Sequence, residues 1–159
     1  MNKDFDSWNL QKKKIENRFV DKDLYFYPKE IWWSSLGLNV GIETNGKNNN
    51  FERPVLIIKK FNSNMLWVLP LTTKNKIGLG YFQLSDQNNS SVIFTQIRTI
   101  STKRLLRKIY TISDSDYRLI IDNIINILKN ENLHKEVISE ANATNNNILS
   151  ETENLSNIC

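Results

Sequence analysis

The stretch Phe51-Glu-Arg-Pro-Val-Leu-Ile-Ile58 opens a strand-like apolar run on an isolated cation, Arg53. A dozen residues on, Leu69-Pro-Leu-Thr-Thr-Lys74 closes a second apolar run on two threonines and a lysine. The third stretch is Ser91-Val-Ile-Phe-Thr-Gln-Ile-Arg-Thr-Ile-Ser-Thr-Lys-Arg-Leu105. It carries Gln96 and Arg98 inside β-branched sequence. A charged or amide side chain beside a run this apolar is either held by a partner or presented to a ligand.

Working outward, Val55–Phe61 and Met65–Leu71 are joined by Asn62-Ser-Asn64, which is hairpin-turn chemistry. Ile31–Leu38, Leu79–Leu84, Ser91–Ile97 and Leu106–Ile112 complete six predicted strands. Six short strands without long helices between them indicate a mainly β domain, a small curled antiparallel sheet or SH3-like barrel. The run Gly41–Asn50 is polar, with Gly41, Gly46 and Asn48-Asn-Asn50, and is expected to be a flexible loop.

A C-terminal helix is predicted over 114–130. Ser113 suits its N-cap, and Asp114 and Asp116 sit where the helix dipole favours anions. Tyr117, Ile120, Ile121, Ile124, Ile127 and Leu128 form a stripe expected to pack on the sheet. A helix over 4–19 should use Phe5, Trp8, Ile15 and Phe19 as one face, with Lys12-Lys-Lys14 solvated. Beyond about Asn132 the chain is rich in Asn, Ser, Thr and Glu and reads as a polar, mostly disordered tail, compatible with a short helix at Leu133–Ala141. The expected organisation is an N-terminal helical extension at 1–28, a β domain at 29–130 and the tail at 131–159.

The 159 residues carry a net charge of +4, unevenly spread. Residues 31–112 hold eleven Lys/Arg against three Asp/Glu, and residues 113–159 hold three against eight. A basic middle suggests a polyanion partner. A solvated basic face balanced by the acidic end explains it equally well. The beginning of the sequence lacks an apolar signal core, and no apolar run is long enough to span a bilayer, so a cytoplasmic protein is expected.

Several chemistries have no support. His134 is the single histidine and Cys159 the single cysteine, which leaves no His/Cys metal set and no internal disulfide. Glu43, Glu52 and Asp86 are the acids of the middle segment, too scattered for a two-metal carboxylate cluster. Phosphate-cradling glycine motifs are absent. The expectation is therefore no metal and no cofactor. Arginine, threonine and glutamine on a basic β scaffold are poor tools for most hydrolysis. They suffice for RNA strand cleavage, because RNA supplies its own nucleophile in the 2′-hydroxyl. Arginine can clamp a phosphate through two N–H groups.

Glu52-Arg-Pro-Val-Leu-Ile-Ile58, Val68-Leu-Pro-Leu-Thr-Thr73 and Ser91-Val-Ile-Phe-Thr-Gln-Ile-Arg-Thr-Ile100 together resemble the core motifs of MazF/PemK-type toxins of type II toxin-antitoxin systems. Gly41-Ile-Glu43 resembles the family's loop after the first strand, and the helix opened by Ser113-Asp-Ser-Asp agrees as well. The resemblance covers about residues 29–130. It implies a CcdB/PemK-like barrel, a homodimer, sequence-selective and metal-independent endoribonuclease action on single-stranded RNA, and neutralisation by a cognate antitoxin. Operator DNA, reached through the antitoxin complex, is a further implied partner. Arg53 corresponds to the catalytic arginine and Thr72 to the catalytic threonine or serine, with Thr73 as fallback. Glu43, Thr73, Lys74, Gln96 and Arg98 are the implied RNA-binding residues. The long loop 44–52, the N-terminal segment and the tail depart from compact members.

Other readings accompany these. A non-catalytic member of the same fold, gyrase-poison-like or an inactive regulator, would keep the scaffold and act by binding protein or nucleic acid. A generic basic RNA-binding barrel is a third reading. Arg53 and Thr72 also have plain structural roles open to them, as a strand-starting arginine beside an edge proline and a β-favouring threonine. Gln96 and Arg98 serve equally as hydrogen-bonders at the sheet end. Trp32 and Trp33 face opposite ways in a strand, so one is core and the other packs or stacks. Lys103, Arg104, Arg107 and Lys108 form either a solvated face or part of a phosphate groove.

Overall fold

The computed structural model describes residues 3–19, 24–74, 76, 78–85 and 89–129. The tail expected beyond 131, including His134 and Cys159, lies outside them. The elements are α1 (Phe5–Glu16), β1 (Glu30–Ser35), β2 (Glu52–Lys60), β3 (Met65–Thr72), β4 (Tyr81–Gln83), β5 (Ser91–Ile93), β6 (Arg98–Ser101), β7 (Leu105–Thr111) and α2 (Asp114–Lys129). The chain divides into two compact units, Met1–Ile120 and Ile121–Cys159.

All strand pairings are antiparallel, in the order β4-β5-β3-β2-β1-β7, with β6 also paired to β3. The sheet is strongly curled but open. Val55, Ile57, Leu66, Val68, Ile100 and Leu105 interlock with Phe26, Trp32 and Leu36 as the main core. Each such side chain taken from water contributes about 1.5–3 kcal/mol, so β2 and β3 are the stabilising centre. Pro54 therefore lies in an internal strand, flanked by β1 and β3, and not at an edge.

Among the described residues, seven strands replace the expected six. Ser91–Ile97 breaks because Phe94–Gln96 turns as a single 3₁₀ helix, with Ile97 N donating to Phe94 O. The chain then re-enters the sheet as β6. Period-2 hydrophobicity cannot reveal such a corner, since the apolar run Val92, Ile93 and Phe94 stays buried into it.

The 41–50 segment is also more structured than its composition suggests. Main-chain bonds tie Gly46 N to Gly37 O at 2.7 Å and pair Lys47 with Glu52. A Cβ at Gly46 would overlap the Phe51 carbonyl, so only glycine fits this turn. Within 41–50 hydrogen bonds, and not apolar burial, supply the order.

In α1, Asp4 caps the first turn by accepting from Ser7 N at 2.9 Å. The expected face is covered at Trp8 and, in part, at Ile15. Trp8 is buried, whereas Phe5 and Phe19 are exposed. Lys12, Lys13 and Lys14 are exposed, in line with the sequence reading.

Within the first unit, α2 begins as expected. Ser113 Oγ accepts from Asp116 N, and Tyr117 donates its hydroxyl to Ile58 O at 2.7 Å. Ile120 is fully buried. The Asp116 carboxylate accepts from both Ser85 N and Ser85 Oγ. The stripe from Ile121 onward belongs to the second unit, where Ile125, Ile127 and Leu128 are exposed. No described helix is long and apolar enough to cross a membrane.

Candidate active site

Sheet register builds the site. Ser34 pairs with Arg53, and Thr72 pairs with Ser91. The β2–β3 register runs through Val55↔Pro70, which continued by two residues sets Arg53 opposite Thr72. Four polar residues thus form one row across β1, β2, β3 and β5. Ser34 and Ser91 are fully buried there, and among the described residues neither hydroxyl has a hydrogen-bond partner. Arg53 and Thr72 occupy the middle of the row and remain half-exposed.

Two main-chain carbonyls fix the Arg53 guanidinium. Nε donates to Asn45 O at 2.6 Å, and Nη1 donates to Leu71 O at 2.9 Å. Arginine has five N–H donors, so three remain for a ligand. Burial lowers the Arg53 pKa from its ordinary value. That ordinary value lies far above neutrality, and the group stays a cation near neutral pH. Thr72 Oγ1 accepts from Lys74 N at 3.2 Å, which turns the chain at the end of β3 and leaves the hydroxyl hydrogen to donate.

Arg53 and Thr72 line two adjoining clefts. The larger, about 320 Å³, is bordered by Lys47, Lys74, Lys76, Tyr81, Thr95 and Gln96 as well. Its lining includes four cations and no carboxylate. The smaller, about 220 Å³, is mostly apolar, with Trp33, Pro54, Leu71 and Thr73 in its wall. A phosphate suits the first cleft and a flat ring suits the second.

The site residues expected from the sequence separate into three groups. Arg53, Thr72, Lys74 and Gln96 come together in the cationic cleft, and Thr73 lies in the apolar one. Gln96 Oε1 accepts from Thr44 N at 2.9 Å, so its amide also fastens the loop. Arg98 and Glu43 lie outside both linings. Arg98 donates to Asn39 Oδ1 at 3.3 Å, and Glu43 is exposed on the loop.

Lys103, Arg104, Arg107 and Lys108, read from the sequence as either a solvated face or part of a phosphate groove, each have a partner within the chain and lie outside both clefts. Lys103 pairs with Glu16, Arg107 with Glu52 and Lys108 with Glu30. Arg104 donates to Ser35 O and lies over the Trp8 ring. Besides Arg53, the cations facing the cleft are Lys47, Lys74 and Lys76, the last beside the Tyr81 hydroxyl at 3.2 Å. Sequence reasoning misses Lys47, Lys76 and Tyr81. Their signal is positional: they flank the turns that precede Glu52 and follow Thr72. Trp32 is the core member of its pair, donating to Glu30 Oε2, and Trp33 walls the apolar cleft under the Arg107 guanidinium.

Residues 27–128 match the profile of the PemK-like, MazF-like toxins of type II toxin-antitoxin systems. The chain belongs to this toxin family. Its matched span takes in β1 to β7 and nearly all of α2, and leaves α1 outside. Solved structures agree at the level of fold. MazF from Deinococcus radiodurans superposes with a TM-score of 0.57 at 14% identity, over 67% of this chain and 99% of that one. An endoribonuclease from a Mycobacterial species gives 0.52 at 13%, over 69% and 96%. A Mycobacterial endoribonuclease in complex with its cognate antitoxin gives 0.50 at 13%, over 66% and 96%. No curated protein matches the chain in sequence. The open antiparallel sheet with its C-terminal helix is thus the MazF fold, here preceded by a further helix.

Proposed function

We propose that this toxin is an endoribonuclease that cuts single-stranded RNA by attack of the 2′-hydroxyl, with Arg53 and Thr72 as its catalytic residues. The observation that carries the reading is that both line one cleft, at the start of β2 and the end of β3, with four cations and no acid in its lining. Family membership supports it.

In this reaction the 2′-oxygen bonds to phosphorus as the bond to the 5′-oxygen breaks. The 2′ proton passes to water, and the 5′-oxygen takes a proton from water. The products are a 2′,3′-cyclic phosphate and a 5′-hydroxyl. The three remaining N–H groups of Arg53 bind the non-bridging oxygens, where charge accumulates. Thr72 Oγ1 donates to the same phosphate. Lys74 and Lys76 hold neighbouring phosphates, and Gln96 meets the strand beside them. Holding the reacting groups in line supplies roughly 7–11 kcal/mol of the barrier in well-oriented systems, without a metal.

A cognate antitoxin is the proposed regulator, and a homodimer the proposed working form. The test is direct. Purified protein is incubated with single-stranded RNA in excess EDTA, and the new ends are sequenced and chemically typed. Cleavage leaving cyclic phosphate and 5′-hydroxyl ends supports the reading. Intact RNA, or 5′-phosphate ends, overturns it and returns a binding role on the same fold.

A further inference from the structure

We infer that α1 positions the Arg53 guanidinium, acting through Lys3 and Trp8 on the loop between β1 and β2. The inference rests on the reading of Arg53 as the phosphate-binding residue.

Two routes lead from α1 to Asn45, the residue whose carbonyl holds Arg53 Nε. The polar route starts at Lys3, just before the helix. Lys3 Nζ donates to Asn39 O at 2.6 Å and to Gly41 O at 3.2 Å. Asn39 N in turn donates to Asn45 Oδ1 at 2.6 Å, and Asn39 Nδ2 donates to Thr44 O at 2.8 Å. Asn45 O then accepts from Arg53 Nε. Lys3, Asn39, Asn45 and Arg53 are therefore one unbroken hydrogen-bonded series.

The packing route runs through Trp8. The indole is buried directly under Gly37, where any Cβ would overlap its six-membered ring. Gly37 sits at φ +90°, a conformation that suits glycine. Its carbonyl accepts from Gly46 N, the residue after Asn45, and its N–H donates to Phe51 O at 3.0 Å. Phe51 is itself held at φ +51°, an unusual conformation for an aromatic residue. Its ring packs on Trp8 with centroids 5.4 Å apart. A strained residue persists only where its surroundings over-determine it. Trp8 supplies that constraint two residues before Arg53.

The loop has other polar ties, from Gln96 to Thr44 N, from Arg98 to Asn39 Oδ1 and through the Lys47–Glu52 pair, but little apolar burial of its own. Val40 and Ile42 are 74% and 95% exposed, and the rest of 41–50 is polar. Because α1 lies outside the span shared with the family, this support belongs to the chain's own extension.

The experiment combines single-turnover RNA cleavage with NMR of the arginine Nε–H groups in the full chain. Wild type is compared with Lys3→Met, Lys3→Arg, Trp8→Ala and Arg53→Ala, the last assigning the Arg53 Nε–H signal by its loss. Lys3→Met and Trp8→Ala should shift and broaden that signal. They should lower the maximal cleavage rate by about ten- to a hundredfold, as expected for misplaced catalytic groups, while KM stays unchanged. Lys3→Arg should restore both readouts. If Trp8→Ala does not fold, Lys3→Met decides, since its side chain is only half-buried. An unchanged Arg53 signal in folded Lys3→Met overturns the inference. If wild type cuts no RNA, the nuclease reading fails, and the NMR signal still decides the positioning role.

Discussion

Arg53 Nη1 donates to the carbonyl of Leu71 at 2.9 Å. That bond fastens the start of β2 to the end of β3, immediately before Thr72. The arginine is thus held rigidly by two carbonyls while part of its donor fork faces the cleft.

Arg53→Lys should therefore rescue little. An ammonium has three donors in a compact cluster and cannot reproduce the planar fork that reaches two carbonyls and a phosphate together. Single-turnover cleavage by Arg53→Lys is expected to stay close to that of Arg53→Ala. Recovery to near the wild-type rate would show that only the charge matters.

Thr72 and Thr73 should differ. Thr72 lines both clefts and carries a hydroxyl free to donate, whereas Thr73 lines only the apolar one. Thr72→Val keeps a β-branched side chain and removes the donor, and losing one preorganised donor costs about 10²–10³ in rate. Thr73→Val should change the rate far less. Equal losses would return Thr73 to the role of catalytic threonine.

Lys74 and Lys76 should act through phosphate charge. Replacing either by alanine should raise KM and leave the maximal rate nearly unchanged. It should also flatten the dependence of log KM on log salt by about 0.7 for each phosphate that is no longer neutralised. Titration of KM over several salt concentrations checks this, and an unchanged slope would place those lysines off the RNA path.

How far the sequence reveals this site depends on locality. Arg53 and Thr72 each end an apolar run, and that pattern survives folding because β2 and β3 pair as a simple hairpin. Hydrophobic alternation also locates β1, β7 and both helices to within a few residues. The 3₁₀ corner at Phe94–Gln96 is invisible, since the buried run continues into it. The partners of Lys103, Arg107 and Lys108 are equally hidden. Glu16, Glu52 and Glu30 lie more than fifty residues away in the chain, and only the fold brings them near. The loop before β2 looks unstructured because its order comes from side-chain amides and carbonyls, such as Asn39 with Asn45, that composition does not register.

Acid should destabilise the protein through Glu52. Hydrogen bonds from Arg107, opposed by burial and aided by Asn48, hold the Glu52 carboxyl below the usual carboxylate range. A depressed folded-state pKa means stability that is present above the unfolded value, about 4.3 for Glu, and is lost as pH falls through the folded value. Glu30 behaves alike: burial pushes its pKa up, but bonds from Lys108, Trp32 Nε1 and Tyr27 N outweigh it. Thermal melts from about pH 7 down to about pH 3 should show Tm falling mainly below the usual carboxylate range, with a shallower fall in Glu52→Gln. Parallel curves for the two proteins would remove Glu52 from the acid transition.

The central claim is that Arg53 stabilises the charge that develops on a cleaved RNA phosphate. Single-turnover cleavage of one single-stranded RNA by wild type and Arg53→Ala, with circular dichroism to confirm that both are folded, tests it most directly. The prediction is a loss of at least about 10²–10³ in rate for a folded Arg53→Ala protein. Cleavage at close to the wild-type rate by that folded variant would contradict the account and move the chemistry away from the β2–β3 cleft.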